Sequence, residues 1–291
     1  MTFSYSEFTT RNIGFVTEAE QQRLRSATVF VCGTGGMGGA AIQSLIRAGV
    51  GHLILADLDE FEISNLNRQV FCNLDTVDQH KAKATREQCL NINPEARVDV
   101  YNGNWTDSVE TLVGGASVVI NGTDDLGASL LLYRTARAKG RPVIDAYASP
   151  LPSVYVTRPG RPAPEDRLGY PTKDTAWNAL TDDQRAQAFL CEAIHVMTHS
   201  SSRHHIDLDL AGEVAAGRRS RMSFAPMVIS TGTLMAYETI ALLLEKSTKT
   251  DENGWFLNPY TARIERPRNP LVAAILKPLV KRALNQMMGQ G

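Results

Sequence analysis

A β-branched run that ends in glycine and opens straight into a glycine cluster constrains this chain more than any other feature. Residues 28–33 read T-V-F-V-C-G, and the turn G-T-G-G-M-G-G begins at Gly33. The run predicts a buried strand, and the residues beyond it predict a helix from about Gly39 to Ala48. Glycines at 33, 35, 36 and 38 allow a tight turn and a close approach of backbone N–H groups to phosphate oxygens. The positive end of the following helix then faces that charge. A second strand, H-L-I-L-A-D-L-D over 52–59, brings Asp57 to the place where a carboxylate accepts hydrogen bonds from ribose hydroxyls. These residues indicate a bound nucleotide rather than a purely structural turn, and they leave NAD, FAD and ATP open.

The surroundings suit such a motif. T-E-A-E-Q-Q-R-L-R-S, 17–26, predicts a short polar helix, with Thr17 and Glu20 forming a capping box. Beyond the second strand, 78–91 reads as helix, 97–101 and 117–122 as strands, 126–140 as a helix stopped by glycine, and 142–148 as a further strand. Strands alternating with helices imply βαβ units and a doubly wound, Rossmann-like, mostly parallel α/β sheet. The second half is less regular. S-V-Y-V-T-R-P-G continues the sheet, R-P-A-P-E-D-R-L-G-Y-P-T-K-D is a proline-rich loop, and 175–222 is polar and holds four of the six histidines. Residues 224–245 form a strongly apolar helix, expected in the core or at a subunit interface.

Composition narrows the function. The chain has 291 residues, 43% apolar and 21% charged, with a formal net charge of −1, so nothing in the total argues for nucleic acid. The N-terminal residues lack the basic and apolar regions of a secretory signal, and no apolar run reaches the roughly 18 residues a membrane span needs. Cys32, Cys72, Cys89 and Cys191 are scattered without a C-x-x-C pair, which suits a reducing compartment. The expectation is a cytoplasmic protein with no transmembrane segment.

The stretch after Asp57 separates the nucleotides. D-L-D-E-F-E-I-S-N-L-N-R-Q-V-F carries Asp59, Asn65, Arg68 and Gln69, and Lys81 follows thirteen residues beyond Arg68. Hydride transfer has no use for such a loop beside the phosphates. An enzyme stabilising charge on a triphosphate does, since fixed cations in a water-poor cleft contribute several kcal/mol, arginine as a bidentate partner and lysine as a compact charge. Asp124, in N-G-T-D-D at the end of a later strand, lies on the edge where such sheets bind ligands. A carboxylate among triphosphate contacts is best explained as a magnesium ligand.

Together these pieces resemble the ThiF/MoeB family of adenylyltransferases, relatives of the ubiquitin-activating enzymes. The matching segments are G-T-G-G-M-G, D-L-D, S-N-L-N-R-Q, the position of Lys81, N-G-T-D-D and the helix A-P-M-V-I-S-T-G-T-L-M-A-Y-E, spread from about residue 11 to 245 in the family's order. The resemblance implies that Asp57 holds the ribose, that Asn65, Arg68 and Lys81 contact phosphates, and that Asp124 helps hold magnesium. It implies that Arg11 reaches the ATP of the partner subunit across a homodimer. The implied reaction is attack of a carboxylate on the α-phosphate of ATP, giving an acyl-AMP and pyrophosphate, with Arg11, Arg68 and Lys81 neutralising the leaving group. The acceptor would be a peptide or carrier-protein C-terminus, or a small acid. The chain is expected to form a single domain over 1–291, with a nucleotide-binding half (11–148), a crossover, substrate and dimer half (149–270) and a tail (271–291).

The sequence also departs from the family. Members commonly hold a structural zinc with two C-x-x-C pairs, which this chain lacks. Cys191 lies in the segment where thiol-using members place a cysteine, but 34 residues before Ala225, and packing is the favoured role. Cys191, His195 and His199 are spaced i, i+4, i+8 and would share a helix face; a polar substrate-facing loop is favoured there over a metal site. The apolar, lysine-bearing tail is expected to pack on its own domain or on the dimer mate. A catalytically silent scaffold with this fold, and an NAD- or FAD-dependent oxidoreductase, remain as alternative functions.

Overall fold

The computed structural model describes residues 2–215 and 217–287. Helix α1 (Tyr5–Phe8) and a 3-10 turn (Thr10–Asn12) lead into α2 (Glu18–Ser26). The capping box is formed: Glu20 N donates to Thr17 Oγ1 at 3.2 Å, and Thr17 N donates to Glu20 Oε2 at 2.8 Å. Then come β1 (Thr28–Cys32), α3 (Gly36–Arg47), β2 (His52–Ala56), α4 (Lys81–Ile92), β3 (Arg97–Tyr101), α5 (Trp105–Gly115), β4 (Val118–Asn121), α6 (Leu126–Lys139) and β5 (Val143–Asp145). The second half contributes β6 (Ser153–Thr157), α7 (Asp182–His199), α8 (Leu208–Ala215), α9 (Ala225–Leu243), β7 (Trp255–Asn258), β8 (Arg263–Glu265) and α10 (Pro270–Met287).

The strands form one sheet in the order β3-β2-β1-β4-β5-β6-β7-β8. The first five are parallel, and β6, β7 and β8 are antiparallel to their neighbours. Side chains alternate across the sheet, as a strand's two-residue period requires. Val29 and Val31, Leu53 and Leu55, and Val118 and Ile120 pack with α3, α4 and α9 on one side. Phe30, Cys32, Ile54, Ala56 and Val119 pack with α5 and α6 on the other. Burial on both faces explains why these strands read as continuous apolar runs. Each fully buried Leu, Ile or Phe contributes about 1.5–3 kcal/mol.

Four features differ from the sequence expectation. The first helix begins at Gly36 rather than near Gly39, because the glycines at 36 and 38 form its first turn, with Gly35 as N-cap. α5 and the β7–β8 pair were not anticipated. The proline-rich stretch winds one π-helical turn over Glu165–Gly169, tied down where Arg134 Nη2 donates to Glu165 Oε1 at 2.7 Å and to Thr172 O at 3.0 Å. The polar segment 175–222 is largely helical, and α7 starts from a capping box of its own, Thr181 with Gln184.

α9 is the one helix among the described residues with the length and composition to cross a membrane. Here Val228, Gly232, Met235 and Ala236 are buried, and a Cβ on Gly232 would overlap the Met37 carbonyl oxygen of α3. α10 lies on α7 and α8, as expected of a tail packing on its own chain; residues 288–291 of that tail fall outside the described residues.

Candidate functional site

β2 stops at Ala56, which leaves Asp57 to Asp59 free at the carboxyl edge of the sheet. There they meet the turn after β1. Gly33 adopts a left-handed φ of +88° and runs against the backbone of Gly122 and Thr123, so a Cβ at 33 would collide with that peptide. A Cβ on Gly38 would overlap the Gly33 carbonyl oxygen. The turn is therefore closed by backbone-on-backbone contact that only glycine permits. Thr34 N and Oγ1 both donate to Asp57 Oδ2, at 2.7 and 3.1 Å, while Asp59 N donates to Oδ1 at 3.0 Å. Asp57 thus braces the turn as well as ending the strand.

Two neighbours shape the turn's outer side. Gly36 faces Val228 at the start of α9, and Gly35 faces the Gln69 side chain, whose oxygen and nitrogen would both lie 3.3 Å from a Cβ at 35. Gln69 is buried and its Oε1 has no hydrogen-bond partner among the described residues. A buried orphan acceptor beside a glycine turn costs about 1–3 kcal/mol unless something meets it, which marks a place for a ligand or water.

The loop from Asp59 to Lys81 folds back on itself. Lys81 N donates to Asp59 O at 2.9 Å, and Phe61 N to Gln79 O at 2.9 Å. Asn65 is buried and accepts from Glu62 N at 3.2 Å. Arg68 Nη1 donates to Ser64 O and Asn67 Oδ1, both at 2.8 Å. It has no carboxylate partner among the described residues. Lys81 is not the surface side chain its residue type suggests: it is 8% exposed, opens α4, and places Nζ 2.9 Å from Asp59 Oδ2. A lysine in a helix's first turn opposes the helix dipole, so its placement is unfavourable on local grounds. The charges of both Lys81 and Arg68 reach the Cys72 thiol, which burial nevertheless raises.

Asp124 and Asp125 follow β4 but do different work. Asp125 caps α6, accepting from Ala128 N at 2.7 Å, and pairs with Arg185 Nη1 of α7 at 2.6 Å. Asp124 is exposed and makes no hydrogen bond or ion pair among the described residues. A free carboxylate on the ligand-binding edge suits a hard cation such as magnesium.

Gly33, Gly35, Gly36, Gly38, Asp57, Asp59, Asn65, Arg68, Gln69, Lys81 and Asp124 thus gather along the ends of β1, β2 and β4. Arg11 does not join them. Its 3-10 turn is fixed by Asn12 Nδ2 donating to Ala48 O at 3.3 Å, at the far end of α3, about 18 Å from the glycine turn at 1.5 Å per residue.

Sequence reasoning missed Arg185, gave Asn121 of N-G-T-D-D no role, and did not join His195 to the buried groups behind β5. Asn121 Nδ2 donates to Asp145 Oδ2 at 3.1 Å, Tyr133 OH donates to the same oxygen at 3.0 Å, and Ala146 N donates to Oδ1 at 2.7 Å. Burial outweighs these bonds and lifts the Asp145 carboxyl to about 6. Burial likewise lifts Glu192, which accepts from Tyr170 OH at 2.7 Å, to about 7. It lowers His195 to about 2, with the Arg167 charge adding to the effect. The A-Y-A-S after Asp145 and the polar 175–222 segment carried no spacing that announced this cluster.

The segment of Cys191, His195 and His199 is helix α7, not the loop expected. The four cysteines are free and sit on separate elements. Burial holds Cys32 and Cys89 in the thiol form. Cys191 packs beside Leu130, Tyr170 and Ala188, and burial raises its thiol, outweighing the lowering charges of Lys277 and Lys281, which disfavours an activated nucleophile. Cys191, His195 and His199 do lie on one helix, with the two imidazoles 4.6 Å apart. No metal-binding cluster occurs among the described residues.

Comparison with known proteins agrees with this geometry. The vegetative protein HesA of Trichormus variabilis is 35% identical over 134 residues, 46% of this chain and 50% of HesA. The molybdopterin-synthase adenylyltransferase of Salmonella typhimurium is 40% identical over 107 residues, 36% of this chain and 43% of that protein. The chain therefore spans about half the length of the curated relatives it matches. Among solved structures, E. coli MccB with ATP shares the fold at a TM-score of 0.60 and 20% identity, covering 87% of this chain and 68% of that one. The model of the ThiF family matches residues 9–272. With glycine turn, bracing aspartate and loop cations on one edge of the sheet, the chain belongs to the ThiF family.

Proposed function

We propose that this chain is an ATP-dependent adenylyltransferase that activates a carboxylate as an acyl-AMP and releases pyrophosphate. The observation that carries the reading is a glycine turn braced by Asp57 and flanked by Gln69, with Lys81 held by Asp59 two residues beyond Asp57 and Asp124 exposed without a partner among the described residues. The name of the Salmonella relative and the ATP of the MccB structure support it.

In this reading the backbone N–H groups of the turn and of the first turn of α3 hold phosphate oxygens, and Asp57 takes the ribose hydroxyls. Gln69 offers its unpartnered amide oxygen at the same turn. A carboxylate oxygen of the acceptor attacks the α-phosphorus, the bond from that phosphorus to the bridging oxygen of the β-phosphate breaks, and the electron pair leaves with pyrophosphate. Lys81 exchanges Asp59 for phosphate oxygens and, with Arg68, stabilises the departing charge, a contribution of several kcal/mol in a water-poor cleft. Asp124 would hold magnesium with the nucleotide, which supplies positive charge to the phosphates.

Two further elements belong to the same proposal. Arg11, about 18 Å from its own chain's turn, serves the nucleotide of the partner in a homodimer. Residues 11–148 carry the nucleotide, 149–270 the acceptor and dimer contacts, and 271–291 a packing tail, in one domain acting in the cytoplasm, where four free thiols are stable.

Calorimetric titration with ATP–magnesium and, separately, with NAD tests the reading. ATP binding that Asp57→Ala weakens is the expected result. Binding of NAD alone overturns it in favour of an oxidoreductase, and binding of neither favours a scaffold.

A further inference from the structure

Behind the end of β5, three buried polar atoms are left open around the same pair of tyrosines among the described residues. The rings of Tyr147 and Tyr155 lie 4.4 Å apart. The Arg167 guanidinium carbon is 5.8 Å from each ring centroid, and the His195 ring is 5.9 and 5.8 Å from the two. Arg167 Nη2 donates to Tyr147 OH at 2.7 Å, yet its Nε has no partner among the described residues, and Tyr155 OH and His195 Nε2 make no well-formed hydrogen bond there, although Ser153 Oγ stands beside the first and the Asn253 backbone beside the His195 ring. Tyr155 is 1% and His195 8% exposed. Arg167 has no carboxylate within ion-pair distance among the described residues, although it approaches from the half-exposed turn Glu165–Gly169. A cation and a hydroxyl left as open donors at one place are suited to an anionic oxygen.

The neighbours restrict which anion. Asp145 and Glu192 flank the cluster, and both act on Arg167 electrostatically. Added to one guanidinium, a dianionic phosphate would face two acids; a monoanionic carboxylate faces less repulsion. The aromatic rings are backed by Leu151, Val196 and Phe256, so the surroundings of the open donors are apolar.

Position then decides which carboxylate. Tyr155 stands level with Asp145, the last residue of β5, so it lies at the carboxyl edge. From the glycine turn at the end of β1 the sheet steps through β4 and β5 to β6, three spacings of about 4.8 Å, or roughly 14 Å. A carboxylate at Tyr155 cannot also attack an α-phosphorus at that turn. An extended peptide covers about 14 Å in roughly four residues.

We propose that Arg167, Tyr155 and His195 form an acceptor subsite for a second, non-reacting carboxylate, so that the acceptor is a peptide with an acidic residue about four positions from the activated carboxylate. This rests on the adenylyltransferase reading for the location of the reacting group, but the carboxylate site stands on its own geometry.

The test uses the intact protein, labelled with 15N-arginine, and two synthetic pentapeptides with free C-termini: acetyl-Glu-Ala-Ala-Ala-Ala and its Gln counterpart. The Nε–Hε resonance of Arg167, identified by its loss in Arg167→Lys, should shift saturably with the Glu peptide and at least tenfold more weakly with the Gln peptide. Equal response to both, or none, overturns the subsite. Tyr155→Phe removes the orphan hydroxyl and should raise the melting temperature while weakening the Glu peptide; a lowered melting temperature identifies a hydrated structural cluster and overturns the proposal. ATP titration of Arg167→Gln separates the two readings. ATP binding retained with peptide discrimination lost supports both, and peptide discrimination without ATP binding in the wild type defeats only the nucleotide reading.

Discussion

The two ends of the sheet's carboxyl edge treat polar groups in opposite ways. At β1, β2 and β4 charge reaches the surface: Asp124 is exposed, Arg68 reaches only backbone and Asn67 among the described residues, and Lys81, itself buried, is held by an Asp59 whose side chain is 69% exposed. At β5 and β6 the polar groups face inward, with Asp145, Tyr147 and Tyr155 all buried. The outward end is arranged for a ligand that brings its own charge. Both ends hold a buried orphan atom, Gln69 Oε1 at one and Arg167 Nε at the other, but the inward end has also desolvated the Asp145 carboxyl before any ligand arrives.

The contrast breaks most readily at the glycine turn. Gly38→Ala would drive a methyl into the Gly33 carbonyl. It should weaken ATP more than ~100-fold in calorimetry and cost about 1–3 kcal/mol of stability. ATP affinity within threefold of wild type would show that the turn does not cradle phosphates. Lys81→Met is the next largest. Loss of a charged phosphate partner should weaken ATP by about 2 kcal/mol, some 30-fold, with little change in melting temperature because the methionine avoids the helix-dipole conflict. A large fall in melting temperature with ATP affinity per folded molecule intact would make Lys81 structural.

These outward residues were the legible ones. Glycines, Asp57, Arg68, Lys81 and Asp124 lie within short stretches whose spacing is fixed by a strand, a turn and a loop, and the parallel strands announced themselves as apolar runs. The inward cluster was not legible, since Asp145, Arg167, Glu192 and His195 come from four separate segments and only tertiary packing brings them together. Arg185 gave no signal for the same reason. Lys81 is legible as a site residue but not as a buried one, since its type gives no sign that the fold encloses it. α5 escaped because its Trp105, Val109, Leu112 and Val113 stripe sits in a short polar stretch, and β7–β8 because two strands of four and three residues are too brief for a period of two to show.

Smaller effects sharpen the comparison. Asp145 and Glu192 have folded pKa values raised from 3.8 to about 6 and from 4.5 to about 7. Their contribution is fully present at low pH and is lost as pH rises through the folded values, because the unfolded chain then ionises more readily. His195 is lowered from 6.5 to about 2, so its contribution is present above 6.5 and is lost as pH falls. Denaturation curves should therefore show stability declining between pH 5 and 8 on account of the acids. Glu192→Gln, which keeps the acceptor for Tyr170, should recover on the order of 2 kcal/mol at pH 8 and little at pH 5. An unchanged decline would mean that Glu192 ionises freely. The smallest effect belongs to Arg185→Ala. Its partly exposed pair with Asp125 is worth about 0.5–1 kcal/mol, so the variant should be cut faster by protease within 175–222 yet bind ATP within about threefold of wild type. A tenfold loss of ATP affinity would tie α7 directly to the outward end.

The contact between Gly232 and the first turns of α3 gives the fold a timetable. The phosphate turn is encoded in the first 40 residues, but the wall on its outer side, Val228 and Gly232, is encoded nearly two hundred residues later. At ribosomal rates of about 5–20 residues per second, the turn waits ten seconds or more for its backing. Until α9 has left the ribosome, a nascent chain carries every residue of the motif and lacks the surface that shapes it. Truncated products ending before 225 should therefore neither retain ATP nor compete for it, which leaves nucleotide capture as a property of the finished chain.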